Sequence, residues 1–151
     1  MKTSEIYNSY ELINKSKLTK MEDNDKFLII KASKAFRPIY NEYQEFIKDA
    51  QEKLKGDSYE EYVNKYQSMQ REHPGLKVAD LTPDELSELE KITKYLNDFN
   101  KRLADCLNEE AEKEHEVTFD KLSEAAFTKY VASNDFTVEE IVKLQDILVG
   151  K

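Results

Sequence analysis

Four of its Ser/Thr-x-x-Glu boxes divide this chain: Thr19-Lys20-Met21-Glu22, Ser58-Tyr59-Glu60-Glu61, Thr82-Pro83-Asp84-Glu85 and Thr137-Val138-Glu139-Glu140. In such a box the hydroxyl oxygen accepts from the amide three residues on, and the glutamate reaches back to the amide of the Ser or Thr. The pattern therefore reads as a helix start. The Thr82 box is the strongest of the four, with proline at the first helical position. Only three Gly and three Pro occur in 151 residues, too few turn residues for most strand-rich folds. The expectation is an all-α protein, a single-domain bundle of five to six helices over residues 1–151.

Hydrophobic spacing fills in the elements between the boxes. A short helix is expected over residues 4–14, with Ile6, Tyr10 and Ile13 on one side. A long helix should start near Lys20 and run towards Leu54. Pro38 has no amide to give the carbonyl of Lys34, which predicts a kink or a break there. Tyr62, Tyr66 and Met69 share a face after Ser58, and His73-Pro74-Gly75 stops that helix. After Thr82, Leu86, Leu89, Leu96, Phe99, Leu103 and Leu107 follow a near-heptad spacing suited to packing along another long helix. Glu116-Val117-Thr118-Phe119 and Leu76-Lys77-Val78 read as extended and are expected to pair as one minor two-stranded ladder. Two more helices are expected, over residues 120–132 and from Thr137 to a stop at Gly150.

Charge is distributed unevenly. Residues 1–37 hold eight basic and five acidic side chains, whereas the remainder holds fifteen basic and twenty-six acidic ones, for a total of −8. That global field disfavours direct nucleic-acid binding. The single cysteine, Cys106, rules out an intramolecular disulfide and suits a reducing compartment. No apolar run is long enough to span a membrane and no signal peptide is evident, so a cytoplasmic location is expected.

The basic residues gather in KLTKMEDNDKFLIIKASKAFR, Lys17 to Arg37. At about 100° per residue, Leu28, Ile29, Ala32, Ala35, Phe36 and Ile39 form one apolar arc. Lys26, Ile30, Lys31, Lys34 and Arg37 fall on the other side with Phe27, while Lys17 and Lys20 precede the helix. Ammonium and guanidinium groups beside an aromatic ring suit a phosphate-bearing ligand, so the candidate ligand-binding residues are Lys17, Lys20, Lys26, Phe27, Lys31, Lys34 and Arg37. In a homo-oligomer, copies of this modest patch would enclose one charged pocket. The plainer reading of the same lysines is a solvated helix face paired with Glu22, Asp23 or Asp25.

Other motifs carry less. Glu112-Lys113-Glu114-His115 has the Glu-x-x-His spacing of di-iron bundles, but Gln70 stands three residues before His73, so the second pair is missing. His73, His115 and Cys106 lack zinc-site spacing. Cys106 lies on the seam with Leu103 and Leu107, as a buried packing thiol would. No Gly-rich phosphate loop or nucleophile elbow occurs. A non-enzymatic protein without cofactor or metal is the expectation.

Several segments resemble small helical proteins encoded by tailed phages and by prophages of gut Bacteroides-type bacteria. These are Lys17-Leu18-Thr19-Lys20-Met21-Glu22-Asp23, Asp25-Lys26-Phe27, Ile30-Lys31-Ala32, Lys121-Leu122-Ser123-Glu124 with Phe127, and Ser133-Asn134-Asp135. The resemblance implies a phage accessory protein. Joined to the basic face, it suggests a protein that counters host antiviral defence by sequestering an anionic nucleotide signal. The alternative is a virion or tail-assembly accessory acting through protein contacts.

Overall fold

The computed structural model describes residues 1–150, and its regular structure is helical. The elements are α1 (Thr3–Lys15), α2 (Asp23–Leu54), α3 (Tyr59–Glu72), a 3₁₀ turn (Val78–Asp80), α4 (Pro83–Ala111), α5 (Glu124–Ala132) and α6 (Val138–Leu148). Among the described residues no helix is long and apolar enough to cross a membrane.

Two of the four boxes form. The Thr82 amide donates to Glu85 Oε1 at 3.2 Å and the Glu85 amide donates to Thr82 Oγ1 at 3.2 Å. The Thr137 and Glu140 pair does the same at 2.8 and 3.3 Å. The Ser58 box does not form. Ser58 sits in the right-handed helical region (φ −86°, ψ −7°), not in the extended conformation that aims a cap hydroxyl at the helix amides. Thr137→Ala is therefore expected to cost about 1 kcal/mol in urea unfolding, and Ser58→Ala only a few tenths. Equal losses from the two substitutions would contradict the difference in geometry.

The Thr19 box gives way to tertiary contacts, so α2 begins at Asp23 and not at Lys20. Met21 is buried, the Lys20 amide donates to Ser133 Oγ at 2.9 Å, and Glu22 accepts from Lys129 Nζ at 2.7 Å. The Glu22 carbonyl instead takes the cap position, accepting from the Lys26 amide at 3.0 Å. Farther on, α2 is unbroken through Pro38, and the expected kink is not seen as any interruption in the helix. Proline removes one bond of the ladder, while Ile29, Ala32, Phe36 and Ala50 are buried on both sides of it.

The expected ladder is absent. Val78 belongs to a 3₁₀ turn, and among the described residues the only β-type pairings are isolated bridges, Lys2 with Glu114 and Leu122 with Val149. The Leu122 bridge also delays α5. That helix starts at Glu124, four residues later than expected, with Ser123 Oγ accepting from the Ala126 amide at 3.1 Å.

The chain packs as two units whose boundaries fall inside α2 and α4. One comprises Met1–Glu45 and the chain from Glu110 onward, the other Phe46–Glu109. In the first, the amphipathic stripes of α1, α2, α5 and α6 meet in one core of Ile6, Tyr10, Ile13, Met21, Ile29, Ala32, Phe36, Leu122, Ala126, Phe127, Tyr130, Leu144 and Leu148. Its chain ends are tied across long sequence distances, the Thr3 amide donating to the Lys113 carbonyl at 2.9 Å and the His115 amide to Met1 at 2.8 Å. In the second, the buried side chains among the described residues are Ala50, Met69, Ile92 and Phe99. Tyr59 packs on Phe99 and Tyr62 stacks on Tyr95, with ring centroids 4.6 and 4.3 Å apart.

Candidate functional site

The basic stretch begins in a loop that the rest of its unit holds by the backbone. Asn134 Oδ1 accepts from the Lys17 amide at 2.7 Å, and Asn134 Nδ2 donates to the carbonyls of Lys17 (2.8 Å) and Tyr130 (2.9 Å). Tyr130 donates to Ser16 Oγ at 2.7 Å, and burial pushes its phenol up to about 12. The Glu22 carboxyl is held below its usual range, because Lys129 donates to it and lies close as a positive charge. The segments Lys17–Asp23 and Ser133-Asn134 thus meet in space to close the core. This contact gives them a structural role, while the side chains of Lys17 and Lys20 lie exposed.

On α2 the apolar arc falls where the periodicity places it. Ile29, Ala32 and Phe36 are buried, while Leu28, Ala35 and Ile39 are half-buried. The opposite side does not form a single pocket. Lys26 is half-buried and pairs with Asp23 at 3.0 Å, one turn back. Lys31 turns towards Asp120 at 3.4 Å and lines a shallow depression with Phe119 and Thr118. Lys34 and Arg37 edge a different groove of about 270 Å³, between α1 and α2, floored by Tyr10, Ile13 and Ile29. Among the described residues neither Lys34 nor Arg37 makes an ion pair. Phe27 is 60% exposed and Ile30 39% exposed.

Of the seven candidate residues, only Lys34 and Arg37 come together around one concavity. That groove, apolar below with two cations on its rim, can hold the anionic end of a small amphipathic molecule, though it is small beside the usual ligand pocket of about 300–1,000 Å³. Phe27, Ile30, Lys34 and Arg37 follow one another at helical spacing along the exposed side of α2, with Ile30, Lys34 and Arg37 at the groove and Phe27 beyond it.

The remaining sequence candidates have structural partners. His115 Nε2 lies 2.7 Å from Thr3 Oγ1, and Glu112 accepts from Lys2 Nζ, so the Glu-x-x-His pair serves the junction with the start of α1. Cys106 is half-buried rather than buried. One grouping escaped the spacing rules. Glu72, His73 and Glu85 bring their donor atoms within 4.8 Å of one another across the turn from α3 to α4. The sequence signal was a Glu-His pair just before Pro-Gly, with a capping glutamate waiting at the next helix start. Comparison of the chain with family models, with curated proteins and with solved structures gives no match.

Proposed function

We propose that this is a non-enzymatic phage protein that acts in virion or tail assembly by docking the outer face of α2 on another protein. The observation that supports this reading is the exposed pair Phe27 and Ile30, 60% and 39% accessible, beside Lys34 and Arg37, which lack ionic partners among the described residues. Aromatic residues and arginine are enriched in protein interfaces, where a ring excludes water and charges at the rim set the register. The candidate cations are dispersed over a loop, a groove and a depression, an arrangement better matched to a broad partner than to an enclosed small molecule. The phage assignment rests on the resemblance of the Lys17–Asp23 and Ser133–Asp135 segments to phage proteins.

A photoreactive phenylalanine analogue at position 27, introduced during infection, should yield an adduct with a phage structural or assembly protein. Phe27→Asp should weaken that complex roughly tenfold or more, about 1.4 kcal/mol. A face that captures no protein from this position, with the helix intact by circular dichroism, would rule the reading out.

The second reading, sequestration of a nucleotide-like immune signal by an oligomer, is supported by the Lys34 and Arg37 groove. It predicts that native mass spectrometry retains a cyclic nucleotide or ADP-ribose derivative. Lys34→Glu/Arg37→Glu should abolish that retention, and Phe27→Asp should spare it.

A further inference from the structure

We propose that Glu72, His73 and Glu85 form a binding site for one divalent transition-metal ion of the zinc class, at the turn between α3 and α4. Their donor atoms, one imidazole nitrogen and two carboxylate oxygens, all lie within 4.8 Å of one another. Borderline ions such as Zn²⁺ accept this mixed set, whereas Ca²⁺ and Mg²⁺ prefer oxygen alone. Three protein ligands leave a fourth position for water.

Before any ion arrives the backbone fixes the main chain of His73 and the carboxylate of Glu85. The His73 amide donates to the Met69 carbonyl at 2.8 Å, and the His73 carbonyl accepts from the Leu76 amide at 2.9 Å. Glu85 is held by its capping box: Oε1 accepts from the Thr82 amide at 3.2 Å, which leaves Oε2 free to face His73 Nε2 at 2.5 Å. The hydrogen bond behind Glu85 fixes the orientation of that ligand and strengthens the site. Both groups are partly withdrawn from water, with side-chain exposures of 23% for His73 and 31% for Glu85. Glu72 is exposed and stands on the open side.

An ion would take the place of the proton that now joins His73 to Glu85. Two donors that share one tetrahedral ion at about 2 Å stand roughly 3.3 Å apart, so the imidazole must swing outward by about 0.8 Å. The two glutamates neutralise the ion's charge. A groove beside them adds Asp57, Glu60, Glu61 and Glu88, against which Lys65 is the one cation in the lining, bridging Glu61 at 3.1 Å and Glu88 at 3.3 Å. That field gathers cations. The unit itself has a thin core, and small cores are those that gain most from a metal cross-link between neighbouring helices.

The test uses the full chain, stripped with chelator and titrated with Zn²⁺ by calorimetry and with Co²⁺ by visible absorption. One equivalent of each should bind, with Mg²⁺ failing to compete at a hundredfold excess. Glu72→Gln leaves the packing untouched, since Glu72 is exposed, and should weaken binding about tenfold. His73→Asn should abolish the Co²⁺ spectrum of the wild type. Absence of uptake, or equal affinity in wild type, Glu72→Gln and His73→Asn, would overturn the proposal and leave His73 and Glu85 as a plain hydrogen-bonded pair.

Discussion

Phe36→Ala is expected to destabilise the unit built on α1, the first part of α2, α5 and α6 by about 3–5 kcal/mol, the usual cost of deleting a fully buried aromatic side chain. Phe36 has no exposed surface and lies in the same core as Ile6, Ile29 and Tyr130. Its ring meets Phe119 edge-on with centroids 5.1 Å apart, so truncation forfeits that contact as well as the buried area. The substitution also falls two residues before Pro38, where the helix has one backbone bond fewer to resist fraying. Urea unfolding followed by far-ultraviolet circular dichroism measures the loss. Phe36→Leu, which retains most of the volume, should recover more than half of it. A loss below about 1 kcal/mol for Phe36→Ala would mean that the ring does not pack as described.

The second large effect appears at alkaline pH. Tyr130 is fully buried and its phenol is raised from 10 to about 12, chiefly by removal from water. Between those two pH values the folded protein keeps the proton and the unfolded chain loses it. Stability is therefore complete below pH 10 and falls as pH rises towards 12, by roughly 3 kcal/mol in all. Tyr130→Phe should remove this part of the alkaline decline. At neutral pH the same substitution should cost about 1 kcal/mol, for the lost hydrogen bond to Ser16. The informative quantity is the difference between wild type and Tyr130→Phe across pH 9 to 12, in which every contribution the two proteins share cancels. A difference that does not change over that interval would contradict the buried position of the phenol.

Periodicity and cap chemistry were enough to read the helices, because each depends on residues within a few positions of one another. Thr82 and Thr137 met no competing contact and capped as their boxes predict. Thr19 failed for a long-range reason: Lys129 claims the Glu22 carboxylate that the local box would have used, while Asn134 and Ser133 hold the neighbouring amides of Lys17 and Lys20. Such partners, more than a hundred residues away, leave no mark in a local pattern. The same distance effect dispersed the candidate basic site. A helical wheel places Lys31 and Lys34 on one side of α2, but it cannot show that Asp120 draws Lys31 off while α1 supplies a groove to Lys34. The Glu72, His73 and Glu85 grouping stayed hidden because its geometry depends on how tightly the Pro74-Gly75 turn reverses the chain.

The interleaving of the two units along the sequence bears on how the chain folds as it is synthesised. Residues 46–109, which form one unit, emerge from the ribosome as a continuous stretch and can pack as soon as they are complete. The other unit must wait. Ile6, Tyr10 and Phe36 are among the first core residues made, but they remain uncovered until Leu144 and Leu148 have been added. Contacts this distant in sequence slow folding and prolong the exposure of apolar surface. The early segment is also the basic one, eight basic against five acidic residues over 1–37, and like charge on copies of it opposes their association through that interval.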